Sequence, residues 1–304
     1  PLHKRLPREL KSEFGKYAVV FFLMVATIGF VSGFLVADNS MLIAYNESFE
    51  KYNIEDGNFR TADRIYRSQR EDIEKLGIRL YENYYIEEEL DNGNTMRFFK
   101  NREEVNKVCL MEGVFPEHTG EIAIDRMYAD NNQLSVGDTL TSKDKSWKIT
   151  GLVALSDYSC LFQNNNDSMF DSVKFGVCVV TADEFDSLNQ DKLQYNYSWK
   201  YNQEPADEKE EKEISEDLME DIGAIVTLET FVPRYTNQAI TFTGEDMGSD
   251  KAMMEVLLYI LIAIMAFVFA VTTNNTITKE ASVIGTLRAS GYSRRELLVH
   301  YISL

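Results

Sequence analysis

Histidine, cysteine and positive charge are scarce in this 304-residue chain, and each shortage removes a class of function. His3, His118 and His300 are the three histidines. His3 and His300 lie in the terminal segments, and His118 stands in a Pro-Glu-His-Thr-Gly loop that reads as a turn. No serine, histidine and acid grouping is evident. Cys109, Cys160 and Cys178 are odd in number and unpatterned in spacing. They give neither a disulfide framework nor a zinc motif. Cys109 and Cys178 sit in apolar runs and are expected to be small buried hydrophobes, and one pair could still oxidise. Asn164-Asn165-Asn166-Asp167 with Asp171 lacks the alternating pattern of a calcium loop and reads as a plain polar loop. No Gly-x4-Gly-Lys-Ser/Thr loop is present, so any ATP must be bound by another chain. With 31 Lys/Arg against 49 Asp/Glu, net −18, the chain is a poor match for nucleic-acid phosphates. No catalytic residue, metal site or cofactor is assigned.

Apolar residues, by contrast, come in two long uninterrupted runs. Tyr17 to Ala37 is 21 residues without a charge, twelve of them Val, Ile, Leu or Phe. Those twelve favour insertion into a bilayer by up to about −4 to −7 kcal/mol. The run exceeds the usual core of a signal peptide and shows no clear cleavage site. Gly29, Gly33 and Ala37 recur four apart, a spacing that lets helices approach closely. Val256 to Thr273 is a second uncharged run, of eighteen residues, near the shortest length that crosses a hydrocarbon core. Neither run carries a charge, which argues against a charged pathway through the midplane.

Charge predicts the orientation. Residues 1–16 form a basic amphipathic segment with five Lys/Arg and two acids, and residues 274–304 carry four and two. Removing these nine basic and four acidic residues from the totals leaves 22 basic and 45 acidic between them. The positive-inside rule then places both ends in the cytoplasm. The expected organisation is a cytoplasmic amphipathic helix over 1–16, transmembrane helix 1 over 17–37, and an extracytoplasmic domain with stalk helices over 38–255. Transmembrane helix 2 follows over 256–273, a cytoplasmic coupling segment over 274–292, and the start of transmembrane helix 3 over 293–304. The chain opens on Pro rather than Met and ends inside a helix, so a fragment is expected.

Within 38–255 the pattern predicts a mixed α+β fold. Met41, Tyr45 and Phe49 form a helical stripe. Tyr52–Phe59 reads as a strand with a turn at Asp56-Gly57, and Thr61–Leu76 as a helix with Ile65, Ile73 and Leu76 inward. Ile78–Leu90 and Thr95–Phe99 read as a hairpin across Asp91-Asn92-Gly93-Asn94. Glu121–Ile124, Thr139–Thr141, Trp147–Leu155, Lys174–Val180 and Gln194–Tyr201 read as strands. Thr181 to Glu184 has capping-box spacing. Ala206–Ile222 reads as a charged helix with Ile214, Leu218 and Ile222 inward, its Asp207–Glu213 run a solvated face. Ala224–Leu228 reads as a last strand.

The segment after the second run is the most specific. Ile277, Ala281, Val283, Ile284 and Leu287 fall at helical spacing, with Lys279, Glu280 and Arg288 outside the stripe. Gly291 stands where a helix end takes a left-handed residue, and Ser293-Arg294-Arg295-Glu296 has capping-box spacing. An apolar stripe outside lipid needs a protein partner or a membrane surface.

Glu280, Ile284, Gly285, Leu287, Arg288, Ala289, Gly291, Arg294 and Arg295 resemble the cytoplasmic coupling segment of the FtsX-like permease family of ABC transporters. The family's acid usually stands directly before Ile-Gly; here that place is Val283 and the acid is Glu280. Short phrases in the outer domain resemble the MacB-type extracytoplasmic domain: Tyr52 to Gly57, Gly120 to Asp125, Val136-Gly137-Asp138, Lys148 to Gly151 and Asp246 to Asp250.

The resemblance implies a multi-pass cell-membrane permease subunit, not itself an enzyme, with two transmembrane helices flanking an α+β domain. Its partners would be a cytoplasmic ABC ATPase, a second permease or permease half, and the bilayer. Glu280, Ile284, Gly285, Leu287, Arg288, Gly291, Arg294 and Arg295 would meet the ATPase. ATP hydrolysis there would move the outer domain, for export or extraction of a peptide, lipid or antibiotic-like substrate. Family permeases carry further membrane helices after this segment. Two other readings are a non-transporting mechanical relay that activates a cell-surface enzyme, and an antimicrobial-peptide sensor.

Overall fold

The computed structural model describes residues 11, 14–143 and 145–302. The predicted amphipathic helix over 1–16 falls almost entirely outside the described residues. The chain forms two compact units, Ile43–Asp246, and Pro1–Leu42 with Met247–Leu304.

The second of these holds the apolar runs. Helix α1 (Phe14–Lys51) contains the first. Both helices are long and apolar enough to cross a membrane, with windows of mean hydropathy 2.5 and 2.7, the other being the long helix Gln238–Lys279. Most of the side chains in these apolar windows are not buried: Phe22, Phe30, Tyr259 and Phe267 are each more than half exposed. A helix apolar on every face is the pattern of a lipid-facing span.

The lobe Ile43–Asp246 is built on two sheets. The smaller contains β1 (Gly57–Thr61) and β2 (Ile78–Glu82). The larger contains β3 (Tyr85–Glu89), β4 (Thr95–Lys100), β5 (Val108–Gly113), β6 (Glu121–Asp125), β7 (Thr139–Ser142), β8 (Lys145–Leu155) and β9 (Phe175–Val180). β10 (Tyr195–Tyr201) and β11 (Leu228–Pro233) return to the smaller sheet. Its order is β11-β1-β10-β2, antiparallel throughout, and the larger runs β3-β4-β9-β6-β8-β5 with β7 on β8. The larger sheet is mixed: β4 lies parallel to β9 and β6 to β8.

Alternation decides the smaller sheet. Phe59, Leu80, Tyr197 and Trp199 point to one face, where Ile73 of α2 (Arg67–Glu74) and Leu218 and Ile222 of α5 (Glu208–Ile225) close a core. Between them in the chain lie α3 (Arg126–Asn132) and α4 (Ala182–Ser187). The larger sheet buries Phe98, Ile122, Ile124, Trp147, Ile149, Val177 and Val179 with Tyr128 and Phe185 of these two helices.

Several expectations change. The strand predicted over Tyr52–Phe59 begins only at Gly57, because α1 continues to Lys51. Asp56-Gly57 is not a turn. Gly57 pairs with Trp199, and a Cβ there would stand 2.2 Å from the indole ring, so glycine serves close packing. The helix predicted over Thr61–Leu76 shrinks to Arg67–Glu74, since Thr61 still belongs to β1; Ile65, Ile73 and Leu76 do pack on the core. Ile78–Leu90 is two strands in different sheets, parted at Asn83-Tyr84. The Asn83 amide still donates to the Asn196 carbonyl, 2.9 Å, extending the β2 ladder before the chain leaves it. The β3–β4 hairpin has the expected turn, with Gly93 at φ +82°. Ala224–Leu228 is not a strand: α5 runs to Ile225 and β11 starts at Leu228. Thr181 caps α4 by accepting from the Glu184 amide. Cys178 is buried, but Cys109 is half-exposed near the sheet edge, on β5. All three thiols are free.

Candidate functional site

The residues predicted to couple to an ATPase run from the N-cap of one short helix, through that helix and the turn after it, to the first residues of the next. The long helix α6 (Gln238–Lys279) ends at Lys279, and α7 (Ala281–Ala289) follows with one residue between. Ile284 and Leu287 are its half-buried positions, while Gly285, Arg288 and Ala289 are exposed. Ile277 and Val283, predicted for the same stripe, are exposed at 44% and 36%. The inward stripe is therefore narrower than expected. A Cβ built on Gly285 meets nothing within 4 Å, so this face is open to a neighbour.

Gly291 takes φ +95°. The Tyr292 amide donates to the Leu287 carbonyl, 3.1 Å, and the Gly291 amide to Arg288, 3.2 Å. These bonds satisfy the last carbonyls of α7 in the pattern a left-handed glycine permits. The chain then enters α8 (Arg294–Ile302) through the predicted box. The Glu296 carboxylate accepts from the Ser293 amide, 2.8 Å, and the Glu296 amide donates to Ser293 Oγ, 3.3 Å. Arg294 and Arg295 are exposed beside it.

One member of this segment gave no signal in the sequence. The Tyr301 hydroxyl donates to the Glu280 carboxylate, tying α8 back to the entrance of α7. The Glu280 carboxylate thus joins the two helices across the turn. Gly29 and Gly33 meet no side chain within 4 Å of a built Cβ, and Ala37 is exposed. Among the described residues, these three positions are open.

A second constellation was not predicted and lies inside the lobe, where its first and last helical turns meet the sheet. The Tyr45 hydroxyl donates to the Ile240 carbonyl, 2.9 Å. Tyr45 and Phe49 pack edge to face at 5.1 Å. The Arg234 guanidinium lies 5.4 Å over the Phe49 ring and donates to Asp56 at 2.7 Å. Asp56, 3% exposed on its side chain, also accepts from Lys200 Nζ, 2.7 Å, and the Tyr201 amide, 2.8 Å. Residues 43–56 and 234–240 are thereby fastened to one another and to β10. Stripe spacing flagged Tyr45 and Phe49; Asp56 was read only as a turn residue and Arg234 not at all, because their meeting is tertiary.

No group of three or more His, Cys, Asp or Glu suited to a metal ion occurs among the described residues. His118 stands in a turn, its carbonyl accepting from the Glu121 amide. The acids of the Asn164–Asp171 loop serve as local caps: Asp167 accepts from the Asn164 amide and Asp171 from the Val173 and Lys174 amides.

No protein-family model matches the chain, and no curated protein matches it. Among solved structures it is similar to the extracellular domain of YknZ, a noncanonic ABC-type transporter from Gram-positive bacteria. The likeness covers 55% of this chain and 94% of that one, at 12% identity and a TM-score of 0.27. A likeness at that level carries no functional argument, so function has to come from the chain's own residues.

Proposed function

We propose that this chain is a permease subunit of an ABC transporter, in which α7 and its glycine turn receive the stroke of a separate cytoplasmic ATPase. The observation that carries this reading is the exposed helix–turn–helix of Ala281–Ile302 at the end of a 42-residue helix. It combines an open glycine, a left-handed turn, a capped return helix and three exposed arginines. In this reading α1 and α6 cross the membrane and the acidic lobe faces outward. The short flanks put their basic residues inside.

The mechanism requires differential binding. An ATPase dimer moves this segment only if it grips it differently in its two nucleotide states. Gly285 allows close approach, Ile284 and Leu287 supply apolar contact, and Arg288, Arg294 and Arg295 orient the segment by charge or against anionic headgroups. Glu280 and Tyr301 keep α7 and α8 moving as one piece. Helices α1 and α6 are each continuous from an apolar run into the lobe, and the lobe fastens their ends through Tyr45, Arg234 and Asp56. A displacement of the helices would therefore reach the lobe's sheets through the Tyr45, Asp56 and Arg234 contacts.

The test is co-purification with the cognate ATPase and its stimulated hydrolysis. Gly285→Trp and Leu287→Asp should each abolish association while leaving the lobe folded. Undiminished binding and hydrolysis in both variants would defeat the reading.

A further inference from the structure

The smaller sheet of the lobe has one apolar face closed by helices and a second face that is polar. Along β1 the polar face presents Asn58 and Arg60, and along β10 Asn196 and Ser198, which pair with them in register. This face, Tyr85 and Arg97 of the larger sheet, and Tyr158 beyond the end of β8 line an open cavity of about 450 Å³. That volume is in the range of small-molecule sites, roughly 300–1,000 Å³.

The charged groups around the cavity are already paired. Arg60 donates to Glu229 at 2.7 Å. Arg97 donates to Glu87 at 2.9 Å and to the Gln163 carbonyl at 2.8 Å. Both terminal nitrogens of Arg102 donate to Asp157, at 2.6 and 2.7 Å. Glu55 accepts from Asn58 and Asn106, each at 2.6 Å, and from Ser198. Burial, and Asp157 beside it, push the Glu55 carboxyl above its ordinary range, which favours its neutral form. An ionic ligand would have to compete with these pairs, and at Arg102–Asp157, where both side chains are buried, it would leave a charge uncompensated.

What remains open is neutral. Asn196 is only 9% exposed, lines the cavity, and its side-chain amide has no hydrogen-bond partner among the described residues. Tyr85 and Tyr158 each accept from an arginine, at 3.1 and 2.6 Å, and so keep a hydroxyl proton to donate. Asn165 and Asn237 use their side-chain oxygens on the Gln238 and Ala239 amides, leaving their NH₂ groups for the cavity they line. The Asn196 side-chain amide therefore keeps its full donor and acceptor capacity for a ligand entering the cavity. Its natural complement is a group that both donates and accepts without charge, which is a hydroxyl.

We infer that this cavity is a binding site for a neutral polyhydroxylated ligand, a sugar unit of a glycan, with Asn196 as its central contact. Asn196 holds a ring hydroxyl from below, Tyr85 and Tyr158 donate from the wall, and the Asn165 and Asn237 amides meet the ligand at the rim. The lobe would thereby recognise carbohydrate. The inference rests on the lobe alone, so it stands or falls separately from the coupling role.

The test is saturation-transfer NMR on the full chain in a detergent without a sugar head group, with cellobiose, maltose and chitobiose as probes. At least one should bind saturably with a Kd of about 1 mM or tighter. Asn196→Ala should weaken it about tenfold, and Thr230→Trp, placed at the exposed rim, should abolish it. Neither should lower the melting temperature much, because the hydrogen bonds of Asn196 to Asn83 and Gln194 run through its backbone and Thr230 is exposed. No saturable binding of any of the three probes, as for a cavity filled by water only, would overturn the inference. So would binding that both variants leave unchanged, or tighter binding of an uncharged tetrapeptide.

Discussion

The Arg234 guanidinium donates to the Asp56 carboxylate at 2.7 Å, across 178 residues of chain. Asp56 lies just after the first long helix and Arg234 just before the second, so one ion pair joins the lobe's entrance to its exit. Asp56 is nearly inaccessible and Arg234 and Lys200 are partly so. Removing the carboxylate leaves two cations facing each other. Asp56→Ala should therefore destabilise the protein by about 3 kcal/mol, while Arg234→Gln, with Lys200 still in place, should cost clearly less. Thermal unfolding of the detergent-purified chain checks the order. If the proposed permease role holds, Arg234→Gln should also loosen the response of the lobe to ATP more than it lowers the partner's ATPase activity.

Two glycines should respond in opposite ways. Gly57 has the Trp199 ring where a methyl would go, so Gly57→Ala should cost about 1–3 kcal/mol through overpacking. Gly285 faces open space, so Gly285→Trp should leave the melting temperature unchanged and lose ATPase association. Melting curves and co-purification on the same two variants separate fold from interface.

Gly291→Ala should cost about 1–2 kcal/mol locally, because an L side chain at this left-handed φ crowds the following carbonyl. The turn between α7 and α8 should loosen, which hydrogen exchange at the Gly291 and Tyr292 amides would report. Tyr301→Phe should have a weaker effect in the same place, since it removes only the bond to Glu280.

Asp125 caps α3 through the Met127 and Tyr128 amides, yet burial pushes its carboxyl up to about 6. A folded value above the unfolded one means that the folded state binds the proton more tightly. The stabilisation is fully present below about pH 4 and is lost as pH rises through about 6. Asp125→Asn keeps the capping oxygen and removes the titration. The variant should gain stability relative to the parent as pH rises from 4.5 to about 7.5, read as a difference in melting temperature at the two pH values.

Much of this architecture was legible because its signals are local. The charge-free runs at Tyr17 and Val256, the Thr181 and Ser293 boxes, the Gly93 turn and Gly291 depend on neighbours in sequence. The α5 stripe of Ile214, Leu218 and Ile222 was equally readable, and it faces the core. Errors arose where long-range pairing decides. Asp56-Gly57 looks like a turn until Trp199 lies across it, and Ile78–Leu90 looks like one strand until its halves join different sheets. Helix α3 went unseen because its cap is a single buried aspartate and its length only seven residues. The cavity around Asn196 draws on positions from 55 to 239, and no window of sequence contains them together.

The central claim is that the lobe and the Gly291 turn lie on opposite sides of a membrane. Its most direct test is labelling of intact cells with a membrane-impermeant thiol reagent, in a Cys109→Ser background where Cys160 and Cys178 are buried. Lys209→Cys, on an exposed turn of α5, should label at once. Arg294→Cys should label only after the membrane is permeabilised. Labelling of both in intact cells, or of neither until permeabilisation, would contradict the account.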